Sequence, residues 1–329
     1  MKLSIVATLY KSAPYLAEFH RRTGATAHDF AGDDYEIVLV NDGSPDDSLA
    51  MAIAMTEQDA HVVLVDLSRN FGHHKAIMTG LAHANGDFVF LIDSDLEERP
   101  EWLVDFAQRM EDGGGDVAYG VQARRNDPLL SRAFGTLFYK LLRALTTVDI
   151  PDNIATVRLL SRRYVNALLM HREREIFVAG LWAITGFTQI PVTVDKTHKG
   201  SSTYTFRRRL ALFANSIVSF SSLPLVAIFF TGLFISLAAF LYVGWLVANW
   251  LFFARPPAGW TSVMASVWLL GGINMAFLGI LGIYAAKIFS ETKQRPLTIV
   301  RAIYGHAVSP GAPPSVRVKY PAHPRGVAE

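Results

Sequence analysis

The amino-acid sequence predicts an α/β domain built on a mostly parallel, doubly wound sheet, followed by a hairpin of two membrane-spanning helices. Three observations predict it. From residue 2 to about residue 119, short apolar runs alternate with helical periodicity, the pattern of strands joined by crossover helices. Asp93-Ser94-Asp95 directly follows one of those apolar runs, at the strand end where open α/β sheets bind ligands. Residues 224–253 and 263–286 are apolar and carry no charge, and each is long enough to cross a bilayer.

The elements follow in order. Residues 3–7, 36–40, 62–67 and 88–92 read as strands, the last of them (Phe88, Val89, Phe90, Leu91, Ile92) as a strand buried on both faces. Helices are expected near 15–26, 47–57 and 73–83, and Pro100 opens a further one at Glu101-Trp102. Asn85-Gly86-Asp87 and Gly113-Gly114-Gly115-Asp116 are turns. Between 128 and 148, Phe134, Leu137, Phe138, Leu141, Leu142 and Leu145 repeat at helical spacing among Arg132, Lys140 and Arg143. Such a helix either lies in a membrane interface or faces the core of its own domain.

Arg255-Pro256-Pro257-Ala258-Gly259-Trp260 joins the two apolar runs and is too short for more than a turn, with Trp245, Trp250 and Trp260 suited to an aromatic belt. Arg207, Arg208 and Arg209 precede the first run, Lys287, Lys293, Arg295 and Arg301 follow the second, and Arg255 stands between them. This bias places the sheet domain and both termini on the cytoplasmic side of a multi-pass protein of the inner (plasma) membrane. The boundaries expected are a catalytic domain at 1–204, a basic amphipathic segment at 205–222, spans at 223–253 and 263–289 around a loop at 254–262, and a tail at 290–329, disordered after about 306.

Composition narrows the chemistry. Of 329 residues, 51% are hydrophobic, and the excess lies after Leu223. A net charge of +2 says little about partners, and no nucleic-acid partner is expected. Without cysteine there is no disulfide, thiol nucleophile or cysteine-ligated zinc. The first residues are too short an apolar stretch for a signal peptide and read as strand.

Asp93 and Asp95 are oxygen donors of the kind that join Mg²⁺ or Mn²⁺ to substrate phosphates, with a solvated polar loop as the bland alternative. Val40-Asn41-Asp42-Gly43-Ser44 ends the second strand, and Asp42 there can accept hydrogen bonds from a base or ribose, although Asn-Asp-Gly is also ordinary turn chemistry. Arg69-Asn70-Phe71-Gly72-His73-His74-Lys75 leads into a helix, where Arg69 and Lys75 can meet phosphates at the N-terminus. His73 and His74 are adjacent, cannot share one site as an i, i+4 pair does, and are expected at the surface or behind the site.

Asn-Asp-Gly-Ser, then Arg-Asn-Phe-Gly, then Asp-x-Asp-Leu at these intervals resembles the family 2 glycosyltransferases of GT-A fold, specifically the polyprenyl-phosphate branch. Arg158-Leu159 with Arg162, Glu173-Arg174…Phe177…Gly180-Leu181, Gly200…Ser202…Tyr204, Ser219-Phe220-Ser221…Pro224-Leu225 and Gly282…Tyr284…Lys287-Ile288…Lys293…Arg295-Pro296 extend the likeness over roughly residues 3–300. The resemblance implies an inverting transfer of sugar from a UDP- or GDP-sugar to polyprenyl phosphate at the cytoplasmic leaflet, and homo-oligomers formed through the membrane-proximal region. It implies that Asp42 contacts the base, that Asp93 and Asp95 hold diphosphate and metal with Glu97 as a further ligand, and that Arg125 and Arg158 face donor or acceptor phosphates. Lys196, Lys199 and Arg207 join Arg158 as acceptor-phosphate residues.

The sequence also departs from the pattern. Ala155-Thr156-Val157-Arg158 stands where relatives read Gly-Asp-Phe-Arg or Gly-Ser-Phe-Arg, so a carboxylate base is absent. A lipid monophosphate, with a second pKa near 6, is already anionic at pH 7 and needs little help from one. The paired arginines before Gly200 are missing, and Lys196, His198 and Lys199 stand nearby instead, without arginine's fork. Thr8, Lys11 and Ser12 replace Pro, Asn and Glu. The rival readings are a transferase that extends a lipid-linked glycan, a processive synthase, which lacks support because no Gln-x-x-Arg-Trp element is found, and a catalytically silent membrane scaffold.

Overall fold

The computed structural model describes residues 2–122, 153–174, 176, 178–195, 223–253 and 259–305. The amphipathic segment at 128–148, Arg125, Lys196, His198, Lys199, Arg207 to Arg209, the turn at Arg255-Pro256-Pro257 and the tail from 306 lie outside the described residues. The chain divides into two compact units: a sheet domain (1–132, 150–202 and 296–329) and a second unit (133–149 and 203–295).

The sheet domain runs β1 (Leu3–Leu9), α1 (Ala13–Ala31), β2 (Tyr35–Asn41), α2 (Ser48–Gln58), β3 (Val62–Leu67), α3 (His73–His83), β4 (Phe88–Leu91), α4 (Trp102–Gly113) and β5 (Val117–Gln122). It continues with β6 (Ile154–Ser161), α5 (Arg162–Leu168), α6 (Val178–Ile184) and β7 (Gln189–Val194). The second unit supplies α7 (Leu223–Phe253) and α8 (Trp260–Thr292), after which β8 (Val300–Tyr304) returns to the sheet. Strand order is β7-β5-β6-β4-β1-β2-β3-β8. β6 and β8 run against the other six, so the sheet is mostly parallel, as expected.

β1 and β2 are buried along their whole length because both faces are covered. Leu3, Ile5, Ala7 and Leu9 point to one face, where Leu16 and Phe19 of α1, Ala52 of α2 and Leu103 and Phe106 of α4 pack. Val6, Val38 and Val40 point to the other, against Ala76, Ile77 and Leu81 of α3, Val165 of α5 and Leu181 of α6. The period-two alternation of the strands thus meets helical stripes on both sides. The expected helices appear with small shifts: α3 coincides with its prediction, and α1 is extended at both ends, with proline in its first turn and Gly32 closing it at φ 62°.

The segment after the second apolar run requires a correction. Residues 300–304, counted with the tail, pair antiparallel with β3, so the sheet domain is discontinuous in sequence. A five-residue edge strand beside charged neighbours has too little periodicity to stand out in a sequence.

The 31 residues of α7 and 33 of α8 correspond to about 46 and 50 Å at 1.5 Å per residue. Within them, residues 225–242 and 266–292 are long and apolar enough to cross a membrane, with mean hydropathies of 2.3 and 1.8 and no part of either window buried. Their large side chains, including Phe234, Phe240, Leu251 and Trp268, face outward rather than into a protein core. By length and composition these two helices could span a membrane.

Candidate active site

Because six strands share one direction, the loops after β1, β2, β3 and β4 gather at one edge, and the start of antiparallel β6 joins them there. That edge is where this type of sheet binds ligands. Four loops form it, and side chains stitch them together.

Asp42 follows β2 and is 3% exposed. Its Oδ1 accepts from the Phe71 N–H at 2.7 Å and its Oδ2 from the Gly72 N–H at 3.0 Å. Burial pushes its carboxyl up, against the pull of those two amides and of His73 and Arg69. Both oxygens therefore hold the loop entering α3, a task that the expected base contact would have to share. Gly43 sits at φ 59°, and a Cβ there would lie 2.5 Å from the Asn70 nitrogen, so only glycine allows the second and third loops to touch.

Asp93 and Asp95 follow β4 and are partly exposed, as a ligand site requires. The backbone between them is tied inward. Ser94, 4% exposed, donates to the Thr8 carbonyl at 2.7 Å and meets the Ser12 hydroxyl at 2.9 Å. Leu96 adopts φ 61°, an unusual conformation for leucine that turns the chain between Asp95 and Glu97. The Glu97 N–H donates to Asp95 Oδ1 at 3.0 Å. His73 bridges the first and fourth loops: its Nδ1 lies 3.0 Å from Thr8 Oγ1 and its Nε2 3.5 Å from Asp93 Oδ1. The histidine expected behind the site or at the surface thus stands beside the first aspartate. His74 is withdrawn, its Nδ1 3.1 Å from the Ile176 carbonyl, and burial, with the charge of His73, lowers its pKa against the pull of that carbonyl.

Among the described residues, no three His, Asp or Glu side chains come close enough to form a metal cluster by themselves. The structure therefore does not bring Glu97 together with Asp93 and Asp95 as a third protein ligand. The donor set still fits Mg²⁺ or Mn²⁺, which take one or two carboxylates and complete their shell with phosphate and water oxygens.

Glu98, which the sequence reading passed over, is fully buried. Its Oε2 accepts from the Asp93 N–H at 3.1 Å, and its Oε1 accepts from the N–H groups of Thr156 at 3.0 Å and Val157 at 3.1 Å. One carboxylate thus fastens the aspartate loop to the start of β6. Asp46 does the same on the other side. It accepts from the hydroxyls of Ser44 (2.5 Å) and Ser48 (2.6 Å) and from the amides of Ala13 (3.1 Å) and Ser48 (3.2 Å). Burial works against its ionisation, but these donors outweigh it and bring its pKa down to about 2. Ser44 in turn accepts from the Lys11 N–H at 2.7 Å, holding Lys11 at φ 58° on the crevice rim. Acidic and hydroxyl residues just before a helix were the readable signal for Asp46.

Arg69 is exposed, stacked 4.1 Å over the Phe71 ring, and Lys75 lies in the first turn of α3. Arg158 differs from its expectation. It is 1% exposed, its Nε and Nη2 donate to the carbonyls of Thr156 and Ala155, and its guanidinium lies 3.1 Å over the Trp182 ring. Burial pulls its pKa down to about 9, against the charge of Glu98 and the hydroxyls of Tyr164 and Tyr119. The Trp182 ring of α6 covers this side chain on the face of the sheet. The direct phosphate contact expected of Arg158 is not one this geometry offers.

An Asp-x-Asp pair at the ligand edge of a doubly wound sheet, beside a buried aspartate loop, is a site suited to joining a divalent metal to substrate phosphates. The chain belongs to glycosyl transferase family 2, whose family model matches residues 4–169. A putative glycosyltransferase of Mycobacterium tuberculosis is 47% identical over 322 residues, 98% of this chain and 94% of that one. An uncharacterized glycosyltransferase of Bacillus subtilis, YkcC, is 32% identical over 93% of this chain and 95% of its own length. The bactoprenol glucosyl transferase of Shigella phage SfV is 31% identical over 92% of this chain and 98% of its own length. A solved mannosyltransferase from Pyrobaculum calidifontis is a looser likeness, with a TM-score of 0.47 and 16% identity over 89% of this chain and 86% of that one.

Proposed function

We propose that this glycosyltransferase moves a sugar from a nucleoside diphosphate to a polyprenyl phosphate at the cytoplasmic leaflet, inverting the anomeric carbon. The carrying observation is that Asp93 and Asp95 stand at the end of β4 in one crevice with the Asp42 loop, in a chain that also has two outward-facing apolar helices. The relative named as a bactoprenol glucosyl transferase, similar over nearly its whole length, supports the lipid acceptor. The charge bias around the helices supports cytoplasmic termini.

Asp93 and Asp95 would hold Mg²⁺ or Mn²⁺, whose chemistry is to take up charge on the leaving diphosphate. The Asp42 loop and the first turn of α3, with Arg69 and Lys75, would receive base and phosphates. The lipid phosphate oxygen attacks the anomeric carbon; the bond from that carbon to the diphosphate oxygen breaks, and the electron pair leaves with the diphosphate. No proton needs removing from an anionic phosphate, which fits Thr156 at the start of β6. With Arg158 enclosed, Lys196, Lys199 and Arg207 become the acceptor cations, and Arg125 a donor contact. Subunits would associate through the membrane-proximal region.

A screen of UDP- and GDP-sugars against undecaprenyl phosphate, with the lipid product identified by mass spectrometry, tests the proposal. Formation of a lipid-phosphate sugar is the expected result. Transfer only to a preformed lipid-linked glycan, or no turnover with any donor, would overturn it.

A further inference from the structure

The last strand of the sheet arrives from beyond the second apolar helix, and side chains carry its influence to the crevice. β8 sets Val300 opposite Leu67 and Tyr304 opposite Leu64. The Ser68 N–H donates to the Ile299 carbonyl at 2.9 Å, and the hydroxyls of Thr298 and Thr79 meet at 2.8 Å. Gly305, at φ 95°, presses on Val62 so closely that a side chain there would strike its carbonyl oxygen. This segment is seated on the domain, and Arg301 projects from it toward the ligand edge.

Arg301 Nη2 donates to the Ser68 carbonyl at 2.6 Å, and Nη1 lies 3.5 Å from Asp66 Oδ2. Asp66 is 1% exposed, and its Oδ1 accepts from Asn41 Nδ2 at 2.7 Å. Asn41 Oδ1 then accepts from the Ser44 N–H at 3.2 Å. The chain Arg301, Asp66, Asn41, Ser44 thus spans from the edge strand to the loop that contains Asp42. A buried carboxylate needs a countercharge, and a side-chain amide keeps one orientation only while its acceptor is fixed.

We propose that Arg301 is a positioning residue for the donor half of the site, acting through Asp66 and Asn41 on the loop 42–44. The inference rests on the donor reading given above. It makes the segment after the membrane hairpin part of the nucleotide-sugar site, although it adds no group to the reacting atoms. Removing Arg301 leaves Asp66 buried without that charge, so its carboxylate shifts from its place, drawing with it the Asn41 amide that donates to it and loosening the loop that orients Asp42.

The test uses the full chain in detergent or lipid nanodiscs. It measures the Kd of the donor found by the sugar screen, the KM for undecaprenyl phosphate and the melting temperature. Arg301→Ala should weaken donor binding by about five- to twentyfold. The lipid KM should stay within about twofold, because that half of the site is not in the relay. Arg301→Lys should recover part of the loss. Adding Arg301→Ala to Asp66→Asn should cost little more than Asp66→Asn alone, since a neutral amide has no charge to balance. Unchanged donor Kd in Arg301→Ala would overturn the proposal. So would equal damage to donor and lipid constants together with a lowered melting temperature that Arg301→Lys fails to restore. If the unmodified chain bound no nucleotide sugar, the donor reading itself would fall, and the proposal with it.

Discussion

Glu98→Gln is the change that most directly probes how the aspartate loop is held. The carboxylate is fully buried and accepts three backbone N–H groups, one from Asp93 through Oε2 and two from Thr156 and Val157 through Oε1. Glutamine keeps the shape but turns one oxygen into an NH₂ donor. In its better orientation the remaining oxygen serves β6, and the NH₂ faces the Asp93 N–H, donor against donor. One orphaned buried amide costs about 1–3 kcal/mol, and the two retained bonds weaken because the acceptor is no longer charged. The sum is roughly 2–4 kcal/mol. For a domain of this size, each kcal/mol lowers the melting temperature by about 2–4 °C, giving a fall of roughly 4–16 °C. Turnover should drop at least about tenfold, since the first aspartate loses its anchor and small displacements at a reacting centre are expensive. Thermal unfolding of the solubilised full chain, read beside single-turnover transfer, measures both. A melting temperature within about 1 °C of the unmodified protein, with transfer intact, would refute the idea that Glu98 fastens the loop.

Other expectations follow from the same geometry. Asp95→Asn should lower transfer by about a hundredfold or more without changing the melting temperature. Transfer by the unmodified enzyme in excess chelator would contradict the metal role. Gly43→Ala should cost about 2–4 kcal/mol, combining a left-handed φ with collision against the backbone of residues 69–70, and a melt unchanged from the parent would disprove the contact. Asp46, whose folded pKa is depressed from 3.8 to about 2, contributes stability present above about pH 4 and lost as pH falls toward 2. Allowing for its partial exposure, this is about 1–2 kcal/mol, and Asp46→Asn should flatten the acid limb of melting temperature against pH. Since the chain has no cysteine, Ser201→Cys offers a clean topology probe. Labelling by an impermeant reagent from the external side alone would reverse the proposed orientation.

The first four strands and three helices were legible because their apolar runs are long and doubly buried, and because α3 starts sharply after Gly72. Asp93, Asp95 and Asp42 were legible as strand-end carboxylates. What escaped was the partner each side chain would take. Glu98 reads as one more acid beside Glu97, yet the chain reversal at Leu96 leaves one partly exposed and the other fully buried. Arg158 reads as a cation on a motif, but its side chain is covered by Trp182, more than 20 residues on, on a strand paired with residues about 40 and 70 positions away, which local pattern does not reveal. Arg301 reads as topology charge after a membrane span, and its pairing with Asp66 depends on β8 folding back over a separation of more than 230 residues.

The partners these side chains take bear on mechanism. The crevice holds its reactive carboxylates partly exposed by fixing the backbone beneath them with other acids: Glu98 under Asp93, Asp46 under the first two loops, Asp66 behind Asn41. Each of these acids is committed to accepting hydrogen bonds from the surrounding backbone and side chains, so it is poorly placed to act as a general base. That division suits an acceptor that arrives already ionised. On the proposed reaction the enzyme has to bring two polyanions together and keep them in line, a task of positioning and charge rather than proton removal. A site organised this way should be more sensitive to the loss of a buried acid that touches no substrate than to the absence of a carboxylate at Thr156.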